Sequence, residues 1–323
     1  MDKKDLRIVF MGTPEFAVES LKALVENEYN VVGVITMPDK PGGRGHKLQH
    51  SAVKKYALEQ NLPLLQPEKL KDETFLAELK AWNADLQIVV AFRMLPEIVW
   101  DMPRLGTFNL HGSLLPQYRG AAPINWAIIN GEKKTGVTTF FLTHEIDTGK
   151  IIRRAEIEIG EDDNVGKIYD ELMHLGAKLV CETVDLLLED KVDAIPQEQF
   201  FVDESELKSA PKIFKDTCRI DWNQPAKKIH DFVRGLSPYP AAWTTLHIEG
   251  KEPQTVKIFT TKPHISDSTL KVGEIKTDNK IYLHIGCANG YIDVKELQLP
   301  NKKAMKIDEL LRGHKIDDNS YFE

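Results

Sequence analysis

Apolar runs of strand length recur through the first half of the chain: "LRIVFM" (6–11), "NVVGVIT" (30–36), "LPLL" (62–65), "LQIVVAF" (86–92), "TFNLH" (107–111) and "GVTTFFLT" (136–143). They lack the alternation of a half-exposed strand, so they suit strands covered on both faces of a parallel sheet. Helical patterns separate them. After the first run, Gly-Thr-Pro leads into "PEFAVESLKALVEN", where Phe16, Ala17, Leu21, Leu24 and Val25 fall on one face and Pro14 suits the first helical turn. "DETFLAELKAW" repeats that arrangement. Strands alternating with helices predict an α/β domain built on a mostly parallel, doubly wound sheet. A helical period sustained from Asn164 to Lys191 predicts a long amphipathic helix that closes this domain, which therefore spans 1–191.

A length of 323 residues exceeds the roughly 100 to 200 typical of one domain, so a second is expected. A polar connector covers 192–207. Beyond it, "TTLHIEG", "TVKIFTTK", "KIYLHIGCANG" and "YIDVKELQL" are short strand patterns separated by Gly, Asn, Asp and Lys turns. They predict a smaller antiparallel β-barrel over 208–323, with helices at "PAKKIHDFVRGLSP" and "KKAMKIDELLRGH".

The charge is divided unevenly. The whole chain carries a formal −7, but residues 1–206 hold 23 Lys and Arg against 34 Asp and Glu, whereas 207–323 hold 19 against 15. The second part is thus compatible with nucleic-acid contact, although solvated surface lysines account for the same numbers. The three cysteines, Cys181, Cys218 and Cys287, form no CxxC pair, so neither a disulfide framework nor a zinc knuckle is expected. The first apolar run is short and broken by Arg7 and Gly12, unlike a signal peptide or membrane span. A reducing cytoplasm is the compartment that fits.

In an open parallel sheet, ligands bind beyond the carboxyl ends of the strands. "FNLHGSLLPQYRGAAPINWAI" (108–128) places Asn109 and His111 at such an end, two residues apart and hence on one face of the strand. An amide N–H can stabilise the oxyanion of an acyl-transfer reaction, and an imidazole can donate to the same oxygen or move a proton. An isolated Asn-x-His serves equally well to cap a strand. Asp147 lies in "THEIDTGKII" (143–152), where a Thr-rich strand turns back. Asp-Thr-Gly also marks aspartic proteases, but their dyad needs two such carboxylates in an all-β fold. An ordinary Asp-Gly turn is the structural reading. "PDKPGGRGHKLQH" (38–50) reads as a long loop whose Lys40, Arg44, His46 and Lys47 form a cationic arm suited to phosphates. His46 and His50 have no carboxylate or Cys partner to complete a metal site, so no metal is expected. "VFMGTPEF" joins strand to helix through glycine but lacks G-x-G-x-x-G, which argues against a nicotinamide cofactor.

Together, "VFMGTPEFAV", "MPDKPGGRGHKL", "FNLHGSLLPQYRGAAPINWAI", "TGVTTFFLTHEIDTGKII" and "RIDW" resemble the methionyl-tRNA formyltransferase family along essentially the whole chain. Asn-x-His followed by Ser-Leu-Leu-Pro, with Asp-Thr-Gly about one strand later, is similar to the signature of enzymes that use 10-formyltetrahydrofolate. The resemblance implies that Asn109, His111 and Asp147 are catalytic and that Ser113, Leu114, Leu115 and Pro116 line the folate site. It implies methionyl-tRNA as the second substrate, tetrahydrofolate as a product, tRNA contacts from Lys40, Arg44 and Lys47, and an oligonucleotide-binding type of barrel. The expected actor is a monomer that needs no membrane, DNA or metal. Two rivals remain at this point. A sugar-nucleotide formyltransferase would share the trio but need no basic arm, and a non-catalytic RNA-binding protein on an α/β scaffold would not need the trio. One departure stands out: in "AFRMLPEIVW" (91–100) Phe92 meets Arg93, where the family more usually has an aromatic residue and Gly.

Overall fold

The apolar runs of the first half form a seven-stranded sheet, seen in a computed structural model that describes residues 2–42, 47–266, 270–316 and 319–323. In chain order its region contains β1 (Ile8–Gly12), helix α1 (Glu15–Glu26), β2 (Val31–Ile35), β3 (Lys40–Gly42), β4 (Lys47–Gln49), α2 (Ala52–Glu59), β5 (Leu64–Leu65) and α3 (Glu73–Ala81). Then come β6 (Leu86–Val90), α4 (Glu97–Trp100), β7 (Thr107–His111), β8 (Arg119–Gly120), α5 (Pro123–Ile129), β9 (Lys134–Phe141), β10 (Ile151–Glu158) and α6 (Val165–Leu188). The sheet order is β10-β9-β7-β6-β1-β2-β5. The pairs from β7 through β5 are parallel, and β9 runs antiparallel to β7. The expected mostly parallel sheet is therefore present. β1 and β6 are buried at every residue, as their unbroken apolar sequences require.

α1 covers the sheet with Phe16, Ala17, Leu21 and Leu24, and Pro14 stands just before its first turn. On one face, Val9, Met11, Ile35 and Val89 pack with Phe75, Leu79, Leu95 and Val99. On the other, α6 approaches β7 so closely that a Cβ on Gly176 would lie 2.7 Å from the Leu110 side chain. Residues 38–50 are not wholly loop. Lys40–Gly42 pairs with Lys47–Gln49 as a two-stranded hairpin, a ladder that the Pro and Gly content conceals. Its base is fastened by Asp39, which takes hydrogen bonds from Lys54 Nζ (2.6 Å) and Gln66 Nε2 (2.9 Å) and lies 3.0 Å from His50 Nδ1. The Lys54 and Gln66 bonds hold the Asp39 carboxyl well below the usual carboxylate range.

The chain divides into two compact units. One comprises 1–123, 135–157 and 169–209, and the other takes in 124–134, 158–168 and 210–323. β11 (Ser209–Ala210) falls at the boundary of the two, and the second unit contains α7 (Ala226–Leu236), β12 (Ala242–His247), β13 (Gln254–Ile265), β14 (Ile275–Thr277), β15 (Leu283–Cys287), β16 (Gly290–Gln298), β17 (Met305–Lys306), α8 (Ile307–Gly313) and β18 (Tyr321–Phe322). Its sheet, β14-β15-β16-β13-β12-β18, is antiparallel, and a bridge from Glu274 to Tyr321 brings the two ends together. The result is the expected barrel-like sheet. Val256, Ile258, Ile285, Ile292 and Val294 fill it, and α7 adds Ile229, Val233 and Leu236. The helix expected over 302–314 starts only at Ile307, because Met305 and Lys306 extend to pair with β16. Cys181, Cys218 and Cys287 are all unpaired, and burial pushes the Cys181 thiol up to about 11.

Within the second unit, Arg234 ties α7 to residues 160–163. Its Nε donates to Asp231 Oδ1 (2.7 Å) and its Nη1 to the carbonyls of Asp163 (2.8 Å) and Gly160 (3.2 Å), with both side chains of the ion pair almost fully buried. Removing one partner of a buried pair strands the other charge. Arg234→Met should therefore destabilise this unit by about 3 kcal/mol in urea unfolding. A loss near zero would show that Lys227, which also reaches Asp231, suffices alone.

Candidate active site

β7 sorts its side chains by alternation. Phe108 and Leu110 enter the core, and Asn109 and His111 point to the opposite face, across from Phe140 and Thr138 of β9. The strand is thus responsible for bringing the amide and the imidazole to one side of the sheet. Asn109 Oδ1 is buried and has no hydrogen-bond partner among the described residues. A buried polar atom left unmatched costs about 1–3 kcal/mol, so such groups cluster where a ligand completes them.

His111 is only 7% exposed, with the Phe140 ring set edgewise against it at 6.4 Å. Its Nε2 lies 2.9 Å from the Tyr118 carbonyl oxygen. A carbonyl can only accept, so Nε2 carries the hydrogen, and the nitrogen left to gain or lose a proton is Nδ1. That atom faces Asp147 Oδ2 at 3.8 Å. The carboxylate side chain is itself 11% exposed, and its Oδ2 accepts the Gly120 N–H at 3.0 Å. Asp147 sits at φ +56°, in the left-handed region, within the turn that follows β9. Gly149 allows that turn to press on the strand: a Cβ there would stand 1.7 Å from the Phe141 carbonyl oxygen. The Asp-Thr-Gly spacing therefore reflects a steric need as well as a carboxylate.

The segment Ser113–Pro116 is fixed mainly from within. Thr138 Oγ1 donates to the Ser113 carbonyl (2.7 Å) and accepts the Leu115 N–H (3.1 Å), and Ser113 Oγ donates to the Gln117 carbonyl (2.6 Å). Leu115 is fully buried against Phe140 and Ile151, and Pro116 is buried as well, which leaves Leu114 the most exposed side chain of the four. The Leu115 carbonyl also accepts from Arg154 Nη1 (3.1 Å), whose guanidinium lies 4.0 Å over the Phe200 ring.

Arg93, the departure noted above, has a defined role. It donates to the carbonyls of Pro67 and Glu68, and both residues line a cavity of about 400 Å³ together with Leu65, Gln66 and Phe75. Burial lowers the pKa of its guanidinium. Lys40 is exposed on β3. Arg44 and the side chain of Lys47 lie outside the described residues. Among the described residues no group of His, Cys, Asp or Glu is arranged to hold a metal ion, and no helix is long and apolar enough to cross a membrane.

Four contributors escaped the sequence reading: Tyr118 through its carbonyl, Thr138, the Gly120 N–H, and Gln197. Tyr118 and Gly120 act through their own backbone groups, which any residue type carries, and Thr138 and Gln197 act on backbone groups distant in sequence, so no local pattern marks them.

The formyl transferase family model matches residues 6–184, and the model of the formyl transferase C-terminal domain matches 212–315. A methionyl-tRNA formyltransferase of Bacteroides fragilis is 64% identical over 318 residues, covering 98% of both chains. The enzyme of that name from Porphyromonas gingivalis is 50% identical over 327 residues, covering both chains completely. Among solved structures, the sugar 3N-formyl transferase WlaRD aligns with a TM-score of 0.64 at 19% identity, over 92% of this chain and 99% of that one. At that identity the likeness is one of fold. HypX from Aquifex aeolicus, solved with tetrahydrofolic acid, aligns with a TM-score of 0.62 at 21% identity, over 97% of this chain and 48% of that one. Identity and coverage over both domains together place the chain in the methionyl-tRNA formyltransferase family.

Proposed function

We propose that this chain transfers the formyl group of 10-formyltetrahydrofolate to the α-amino group of methionyl-tRNA, making the formylated initiator for translation in the cytoplasm. The observation that carries the reading is the placement of Asn109, whose buried Oδ1 has no hydrogen-bond partner among the described residues, on the same strand face as a His111 whose Nδ1 faces the Asp147 carboxylate. The folate donor supplies an activated formyl group. Asn109 donates to the formyl oxygen as negative charge develops there during attack by the amine. A proton on His111 Nδ1, flanked by Asp147, strengthens the same electrophilic pull. Asp147, with a water, takes the proton that the attacking nitrogen sheds and passes it toward the departing folate nitrogen. Leu114 and the backbone of 113–116 form one wall for the folate, held in place by Thr138.

In this reading residues 1–191 carry the chemistry, 192–207 connect, and 208–323 hold tRNA. The barrel offers a surface suited to that task. The rings of Tyr282, His284, Tyr291 and His264 follow one another with centroids 4.4 to 4.7 Å apart on the strand face opposite the core residues Ile285, Ile292 and Val294. Lys262, Lys276 and Lys295 share that face by strand register. A column of stacked rings flanked by lysines suits base stacking at its ends and a phosphate backbone alongside. Lys40, Arg44 and Lys47 supply further phosphate contacts, which position the substrate without reading its sequence. A sugar-nucleotide acceptor explains neither surface.

Asn109→Ala should lower kcat roughly a hundred- to a thousandfold in an assay of formyl transfer from 10-formyltetrahydrofolate to methionyl-tRNA. Unchanged turnover would remove Asn109 from the mechanism. Uncharged tRNA and an amino-sugar nucleotide should accept no formyl group in the same assay. Replacing Lys40, Arg44 and Lys47 together by Gln should weaken tRNA binding and flatten its dependence on log salt by up to about 2 to 3 in slope. An unaltered slope would show that the hairpin does not touch the backbone.

A further inference from the structure

Gln197 lies in the stretch between the long helix and the barrel, in a short 3-10 turn (Gln197–Phe200), and it is completely buried. Two residues earlier, Ile195 exchanges backbone hydrogen bonds with Ile151, at 2.8 Å in each direction, which stitches this stretch beside the start of β10. The Gln197 amide makes four hydrogen bonds. Nε2 donates to the carbonyls of Asp147 (2.8 Å) and Gly149 (2.9 Å), and Oε1 accepts from Arg119 Nε (3.0 Å) and Nη2 (2.7 Å). Those four use both hydrogens and both lone pairs. A guanidinium only donates and a carbonyl only accepts, so one orientation of the amide satisfies every partner.

We infer that Gln197 is a positioning residue for the transfer reaction, holding the Asp147 turn so that its carboxylate faces His111. The inference rests on the role proposed for Asp147 above. Asp147 sits at φ +56°, a left-handed conformation that aspartate tolerates better than most residues but that is still not its preferred one, and outside contacts help to hold it there. Gln197 supplies two of them, one on each side of Thr148. The neighbouring Gly120 N–H fixes Oδ2 of the same aspartate, and Gly120 directly follows Arg119. The contacts close into a ring: Arg119 to the Gln197 amide, the amide to the Asp147 backbone, and the Asp147 carboxylate back to Gly120. No segment of that ring can shift without carrying the carboxylate away from its place 3.8 Å from His111 Nδ1.

The test uses the full chain with Gln197→Met, which keeps the length without hydrogen bonds, and Gln197→Glu, which keeps the shape and the Arg119 contact but presents no donor to the two carbonyls. Both should lower kcat by roughly ten- to a hundredfold, the scale of a 1 Å misplacement, with KM for methionyl-tRNA and for 10-formyltetrahydrofolate within about twofold of the parent. In an Asp147→Asn background, Gln197→Met should cost nothing further, since the two act through one group. If both Gln197 variants fail to fold, Arg119→Leu should show the same loss confined to kcat. A folded Gln197 variant with parental kcat, an effect confined to KM, or losses that simply add to that of Asp147→Asn would overturn the positioning role. If both Gln197 variants fail to fold, parental kcat in Arg119→Leu would do the same. Asp147→Asn with full turnover would instead defeat the proposed chemistry itself, so the two failures are distinguishable.

Discussion

The pleat of β7 divides one five-residue strand between two tasks, and the remainder of the first unit is arranged around that division. Leu110 faces α6, where Gly176 lets helix and strand close up, and Asn109 and His111 on either side of it face the candidate site. A slip of one residue in the register between β7 and β9 would exchange the two sets, putting a leucine where the amide must be and an imidazole in the core. The pairing of Asn109 with Val89 and Phe140 is what prevents it. The same β9 contributes Thr138, which pins the 113–116 segment, and Phe140, which walls the imidazole. Sheet register and chemistry are thus one specification.

The histidine's geometry narrows its chemistry. Because Nε2 is committed to the Tyr118 carbonyl, Nδ1 is the ring nitrogen turned toward Asp147. Tyr118 adopts φ +62°, so the chain just after the buried Leu-Pro pair bends into an uncommon conformation in presenting that carbonyl. Backbone groups thereby do work that a motif search assigns to side chains.

How much of this was legible in the sequence follows from how local each signal is. The buried strands were legible because an unbroken apolar run has few other uses, and β7 matches its predicted span residue for residue. Asn109 and His111 were marked by their place at the end of an apolar strand, whereas the approach of Asp147 to His111 was implied only by motif resemblance, since nothing in composition brings residue 147 to residue 111. The hairpin at 40–49 was read as loop because Pro41 and Gly42 are poor strand formers, although an isolated two-stranded ladder tolerates them. Met305 and Lys306 were read as helix because their periodicity suited it, and the open edge of β16 claimed them instead. Gln197 gave no signal at all. It is one polar residue in a polar connector, and its partners lie 48 to 78 positions away.

The way the hairpin is rooted has an evolutionary corollary. Asp39, Lys54, Gln66 and His50 hold its base to the α/β unit through contacts that involve nothing beyond Gly42 or before Gln49. Whatever chain stands between those points can change in length and charge without loosening its pedestal. On the proposed reading, the phosphate contacts made there can vary while Asn109, His111 and Asp147 keep their places.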